Sequence, residues 1–229
     1  MRLRINHLTK RYQRGDSWFD AVRNASFSLD DGALVSMVGR SGSGKTTLLN
    51  MVSGLLCPDS GEILVDGINL FSMDDKKRSD FRNEKIGYIQ QGRSLLGNLT
   101  ALDNVRLPFH LQRRSGDSLQ RARGLFADLG VSHLENSYPA ELSGGELRRI
   151  ALARALINAP AIVIADEPTS DLDIDTAHEI LELFSRLNAQ GVAFLVATHD
   201  PELSRCGGMA LKMDAGELTK ATELLSPFG

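Results

Sequence analysis

Between Gly39 and Thr46 the chain reads Gly-Arg-Ser-Gly-Ser-Gly-Lys-Thr, the GxxxxGK[ST] spacing. Glycines at that spacing let successive backbone amides approach one anion, Lys45 reaches β- and γ-phosphates, and the Thr46 hydroxyl is a ligand for Mg²⁺. A second candidate is Asp166-Glu167, two adjacent carboxylates after the apolar run Ile162 to Ala165. Asp166 is suited to hold Mg²⁺, directly or through water. Glu167 is suited to take a proton from an attacking water, a role generally worth ~10²–10⁴ in rate. A third is Glu141-Leu-Ser143-Gly144-Gly145-Glu146, whose Ser-x-x-Glu spacing is also a helix capping box. There Ser143 accepts from the Glu146 amide and keeps its hydroxyl proton to donate, while the helix dipole behind it favours an anion.

These groups need elements to hold them. The run Ala33 to Val38 reads as a strand ending on the Gly-rich loop, and Leu48, Leu49 and Val52 mark a helix from about Lys45 to Ser53. Further strands are expected at MRLRINHL, Ala25 to Leu29, Glu62 to Val65 before an Asp-Gly turn, Ile86 to Gln90, Ala161 to Ala165 and Val192 to Ala197. The last two are continuous and apolar, which predicts strands covered on both faces and a largely parallel sheet. Ala177, Ile180, Leu181, Phe184 and Leu187 share a helical face between them. Met209 to Met213 with its Asp-Ala-Gly turn reads as an edge hairpin, and 91–156 as a mainly helical insert. The expected fold is α/β, a P-loop NTPase core with an antiparallel edge sheet and an inserted helical subdomain, all within one domain spanning 1–229.

Composition narrows the classes. The 229 residues are 42% hydrophobic and 24% charged with a formal charge of −3, so neither disorder nor a strongly basic nucleic-acid binder is indicated. The basic stretches at 76–78, 113–114 and 148–149 read as solvated faces. The longest apolar runs fall well short of the ~20 residues that cross a bilayer, and the N-terminus has no signal-peptide core. Cys57 and Cys206 have no metal-type spacing and read as reduced thiols.

The segment Glu141 to Glu146, 20 residues before Asp166 and followed by the helix LRRIALARAL, resembles the signature of ATP-binding-cassette ATPases. Other stations match in order: Tyr12 in the first loop, Gln91 after the strand IGYIQ, Ser170-Asp171-Leu172-Asp173 after Glu167, and Thr198-His199-Asp200 after the last core strand. The resemblance covers essentially the whole chain, with Glu146 where the family more often has Gln. It implies ATP and Mg²⁺ as cofactors and a Mg-ATP-dependent hydrolase. Gly39, Ser41, Gly42, Ser43, Gly44, Lys45, Thr46 and Thr47 would cradle phosphate, and Tyr12 would stack on adenine. Thr46, Gln91 and Asp166 would serve the metal, and Glu167, His199 and Gln91 the reaction. Gln90 adjoins Gln91, and a strand's alternation turns only one of them to the nucleotide. Asp200-Pro201 independently reads as an N-cap with Pro at N1.

The resemblance further implies that two copies, or this chain and a close relative, share each nucleotide, with Ser143, Gly144, Gly145 and Asp173 acting on the ATP of the other subunit. It also implies an integral-membrane permease as partner and an extracytoplasmic adaptor reached through it, with the chain peripheral on the cytoplasmic face of the membrane and no nucleic acid bound. ADEPT, SDLD, THD and LLGNLTALDNV look like the group that drives lipoprotein release, macrolide efflux and cell-division complexes. Leu95, Leu96, Leu99 and Leu102 would either pack the helical insert or, at Leu95 or Leu96, line a groove for a permease helix. A soluble scaffold ATPase of the iron–sulfur-assembly type is the alternative of similar size.

Overall fold

The computed structural model describes residues 2–92, 94–112, 115–199 and 208–221. The described residues form two sheets and a set of helices. β1 (Leu3–Arg14) and β2 (Ser17–Leu29) form a long antiparallel hairpin, and β1 also pairs with β4 (Ser60–Val65), which turns into β5 (Ile68–Asn69). The turn is made by Asp66 and Gly67, both at positive φ, the conformation that an Asp-Gly hairpin turn requires.

The second sheet contains β3 (Leu34–Val38), β6 (Ile86–Ile89), β7 (Ile162–Asp166), β8 (Ala193–Thr198), β9 (Met209–Asp214) and β10 (Glu217–Lys220) in the order β10-β9-β3-β8-β7-β6. All its pairs are parallel except β10 with β9. The C-terminal hairpin is the expected edge element: β9 pairs with β3, and β10 forms the edge of the sheet. β7 and β8 are buried at every position, as strands covered on both faces must be.

Their side chains divide strictly between two cores. Ile162, Ile164, Leu195 and Ala197 face a core shared with the antiparallel sheet and α1 (Lys45–Val52). Val163, Ala165, Phe194 and Val196 face the other core, built with α3 (Ala101–Leu111), α4 (Ser118–Asp128), α5 (Gly144–Leu156) and α6 (Ile174–Ala189). Phe184 of α6 stacks on Phe194 of β8 with ring centroids 4.9 Å apart. An exposed helix, α2 (Asp75–Lys85), starts at an Asp74 cap and leads into β6.

Expectation and structure part in the first hairpin and in the basic stretches. β1 runs on to Arg14, so Tyr12 sits in a strand opposite Phe19 and not in a loop. The polar residues Lys10 to Arg14 carry no apolar alternation, and they are extended because the hairpin partner holds them. The basic pair 148–149 is not a solvated face either: Arg148 is buried, and Arg149 binds the Leu129 carbonyl and Glu179. Lys76 and Lys77 are solvated as expected, but Arg78 is half-buried with its guanidinium over the Phe71 ring, and 113–114 lie outside the described residues. Cys57 is a free, exposed thiol, and Cys206 lies outside the described residues. No helix among the described residues is long and apolar enough to cross a membrane.

Candidate functional site

Parallel strands bring their carboxyl ends to one edge of the sheet, and ligands of open α/β folds bind outside that edge. The register sets which residues meet there, since Val38 is opposite Thr198 and Asp166 opposite Ala197. The loop after β3, Glu167 after β7, His199 after β8 and Gln91 after β6 consequently line one cleft of about 1170 Å³. Gln91 and not Gln90 is on its wall.

The loop from Gly39 to Gly44 is fixed by near contacts that exclude larger residues. A Cβ on Gly39 would lie 2.3 Å from the Met213 carbonyl oxygen, and one on Gly44, at φ +108°, would lie 2.1 Å from that of Ala21. Gly216 donates its amide to the Ser43 carbonyl at 3.0 Å, so β9, β2 and the loop are laced together. Ser41, Gly42, Thr46 and Thr47 line the cleft, whereas the Ser43 hydroxyl is buried beneath it without a hydrogen-bond partner.

Lys45 is buried and donates to the Gly39 carbonyl at 2.7 Å and to that of Arg40 at 3.3 Å, with Glu167 Oε1 3.5 Å away. Thr46 Oγ1 donates to Asp166 Oδ2 at 2.7 Å, while Asp166 Oδ1 is buried with no partner. Burial, first, and the neighbouring Glu167 charge push the Asp166 carboxyl above its ordinary value, against the opposing bond from Thr46. An orphaned carboxylate oxygen beside a threonine hydroxyl at a phosphate loop fits Mg²⁺, which takes one or two protein oxygens and fills its shell with phosphates and water.

Glu167 is held in a backbone conformation that is uncommon outside glycine, φ +49°. Its amide donates to the Ala197 carbonyl at 2.9 Å. Oε2 accepts from His199 Nδ1 at 2.8 Å and from the His199 amide at 3.3 Å. Since a carboxylate only accepts, the neutral imidazole carries its proton on Nδ1 and leaves Nε2 as an acceptor. Asp200 and Pro201 lie outside the described residues.

The cleft also has walls that the sequence reading passed over. Phe19 lies opposite Tyr12 with ring centroids 6.0 Å apart, and Trp18 adds a third ring that is 65% exposed. Recognition of Gly15-Asp16 as a hairpin turn would have put Phe19 across from Tyr12. Asp20 is held below the usual carboxylate range by its bond from Arg23 and by Arg11.

Ser143, Gly144, Gly145 and Asp173 are not among the residues lining this cleft. Ser143 caps α5 in the expected box, with its amide donating to Glu146 Oε2 at 2.8 Å. Its hydroxyl proton is not free, however: Ser143 Oγ also donates to that same carboxylate oxygen at 2.8 Å. A carboxylate oxygen accepts both bonds, and the Glu146 carboxyl is lowered by the amide first and the hydroxyl second. Asp173 caps α6, accepting from the Thr176 amide and hydroxyl.

The family model described as "ABC transporter" matches residues 22–170. A dimeric structure of MJ0796, described as a bacterial ABC transporter cassette, is 35% identical, covers 95% of this chain and 98% of its own, and superposes with a TM-score of 0.89. A dimeric post-hydrolysis state of MJ0796 bound to ADP and Pi matches at 34% identity over the same shares, with a TM-score of 0.88. The ADP conformation of MJ1267, an ATP-binding cassette of an ABC transporter, shares the fold at 24% identity, covering 95% of this chain and 89% of its own with a TM-score of 0.81. Its phosphate loop and carboxylate pair on one sheet edge, matched along most of its length, mean that this chain belongs to the ABC transporter family as an ATP-hydrolysing cassette.

Proposed function

We propose that the chain is the Mg-ATP-dependent motor subunit of a separately encoded membrane permease and that it works as a pair. One observation carries the pairing. Ser143 and Asp173 lie outside the cleft that gathers Lys45, Asp166, Glu167, Gln91 and His199. The dimeric state of MJ0796, with which this chain aligns over 95% of its length, supports the same reading. In the proposed pair, each ATP lies between the phosphate loop of one copy and the α5 N-terminus of the other.

Within the cleft, the loop amides and Lys45 receive the triphosphate, and Lys45 exchanges the Gly39 and Arg40 carbonyls for phosphate oxygens. Thr46 and Asp166, with Gln91 on the same cleft wall, would hold Mg²⁺, and the ion would supply neutralisation of phosphate charge. Tyr12, with Phe19 behind it, offers a face to adenine. Glu167 takes the proton of the attacking water. His199 holds that carboxylate through Nδ1, and when the ring carries a second proton, on Nε2, that N–H can donate to the γ-phosphate. In the paired form Ser143 swings its hydroxyl from Glu146 to the partner's nucleotide.

The helical block 91–156 would carry nucleotide state to the permease. Leu95 and Leu102 are partly buried against the core, whereas Leu96 is 45% exposed and better suits a permease helix. The subunit would sit on the cytoplasmic face of the membrane. The sequence group resembled adds an export or mechanotransmission role and an extracytoplasmic adaptor reached through the permease.

The direct test of the reaction centre is Glu167→Gln. The variant should bind ATP as the wild type does and hydrolyse it at least ~10²-fold more slowly, because the base is lost and the cradle is kept. Wild-type turnover would remove Glu167 from the reaction.

A further inference from the structure

We propose that Arg148 is a positioning residue that ties the loop carrying Gln91 to the loop that follows Glu167, so that neither moves without the other. Arg148 leaves the first turns of α5 and is buried, with 9% of its surface exposed. Its guanidinium spans two separate segments: Nη1 donates to the Gly92 carbonyl at 2.9 Å, and Nη2 lies 3.3 Å from Ser170 Oγ and 3.5 Å from the Ser170 carbonyl. The chain of bonds continues to the reaction centre. Ser170 Oγ accepts from Arg148 and donates its own proton to the Glu167 carbonyl at 2.9 Å.

Gly92 is the residue next to Gln91, so a single planar cation links the two loops from which the cleft's glutamine and glutamate project. Arginine suits this task because its donors form a rigid fork and its charge does not titrate away. Burial pulls the guanidinium below its ordinary value, and the neighbouring Asp171 opposes that cost. A small cavity of about 340 Å³, walled in part by Leu95, Leu142 and Leu172, adjoins the guanidinium and gives the loops room to shift. The other arginines of α5 reach elsewhere: Arg149 to Leu129 and Glu179, and Arg154 to Ser94.

The proposal rests on the roles given above to Gln91 and Glu167, and the test separates the two. Steady-state ATP hydrolysis by the full-length chain is measured for Arg148→Met, Arg148→Lys, Ser170→Ala and the double variants, with binding of a non-hydrolysable ATP analogue and thermal unfolding alongside. Arg148→Met should lower kcat about 10-fold or more and leave analogue affinity within about 2-fold, because the phosphate cradle is untouched. Arg148→Lys, a point charge in place of a fork, should recover only part of kcat. Ser170→Ala should cost clearly less in an Arg148→Met background than in the wild type, since both act through one link.

If Arg148→Met does not fold, the Arg148→Lys and Ser170→Ala cycle decides on the same criterion. A kcat within about 2-fold of wild type in both Arg148 variants, an equal loss in analogue affinity and kcat, or multiplicative effects of Arg148 and Ser170 would each overturn the link. Gln91→Ala and Glu167→Gln serve as controls. If they hydrolyse ATP normally, the underlying roles fail; if they are slow and the Arg148 variants are not, only the link fails.

Discussion

Asp166 shows how a residue proposed to hold a metal ion can be costly to the chain that carries it. Its carboxylate has one oxygen bonded to Thr46 and the other buried without a partner. Burial raises its pKa, so in the ligand-free chain the ionised form is a penalty that is present above the raised value and gone below the ordinary one. Asp166→Asn, assayed without nucleotide or Mg²⁺, is therefore expected to unfold at a higher temperature than the wild type near neutral pH. A gain of about 1 kcal/mol corresponds to roughly 2–4 °C for a chain of this size. The difference should shrink as pH falls through the carboxylate range, and a gap that stays constant with pH would contradict the assignment of the penalty to charge. That Lys45, Thr46 and Asp166 would meet in one cleft was legible in the sequence because each stands in a short contiguous pattern at the end of an apolar strand. Arg148 was not, because its burial depends on where Gly92 and Ser170 lie, far from it in the chain.

Elements were read well where periodicity was strong and poorly where a partner dictates structure. The buried strands Ile162–Asp166 and Ala193–Thr198 and the helix Ile174–Ala189 follow their apolar patterns. The hairpin from Leu3 to Leu29 outruns its apolar pattern because pairing with the opposite strand extends it. The Ser143 box was legible too, but the destination of its hydroxyl proton depends on a rotamer of Glu146 that spacing does not specify. One packing contact at this scale has a sharp test. A Cβ on Gly87 would stand 2.5 Å from the Ala155 carbonyl oxygen, so Gly87→Ala must push α5 off β6. Overpacking of this kind costs about 1–3 kcal/mol. Thermal unfolding should fall by several degrees, and because β6 leads directly to Gln91, kcat should fall with it. An unchanged unfolding temperature would show that the contact yields freely.

At the scale of the whole molecule, the chain resembles half of a working unit. Leu96→Glu should leave folding and ATP hydrolysis by the isolated subunit intact, as judged by circular dichroism and turnover, while abolishing co-purification with the proposed permease in detergent. Continued recruitment would move the docking surface away from Leu96. Long-range assembly of the cleft was foreshadowed by the order of motifs along the chain. That Ser143 would serve the other copy's nucleotide was implied by the family resemblance, and the fold adds that Ser143 does not line the cleft of its own chain.

The central claim, one nucleotide shared between two copies, is tested most directly by ATP hydrolysis in dimers of defined composition. A pair with Lys45→Ala in one copy and Ser143→Arg in the other keeps one composite site intact, and about half of wild-type turnover is expected if the two sites act independently. A pair with both substitutions in one copy and none in the other should be inactive, because each composite site then carries a defect. The opposite pattern, with turnover in the second arrangement and none in the first, would mean that each chain completes its own site and would contradict the account.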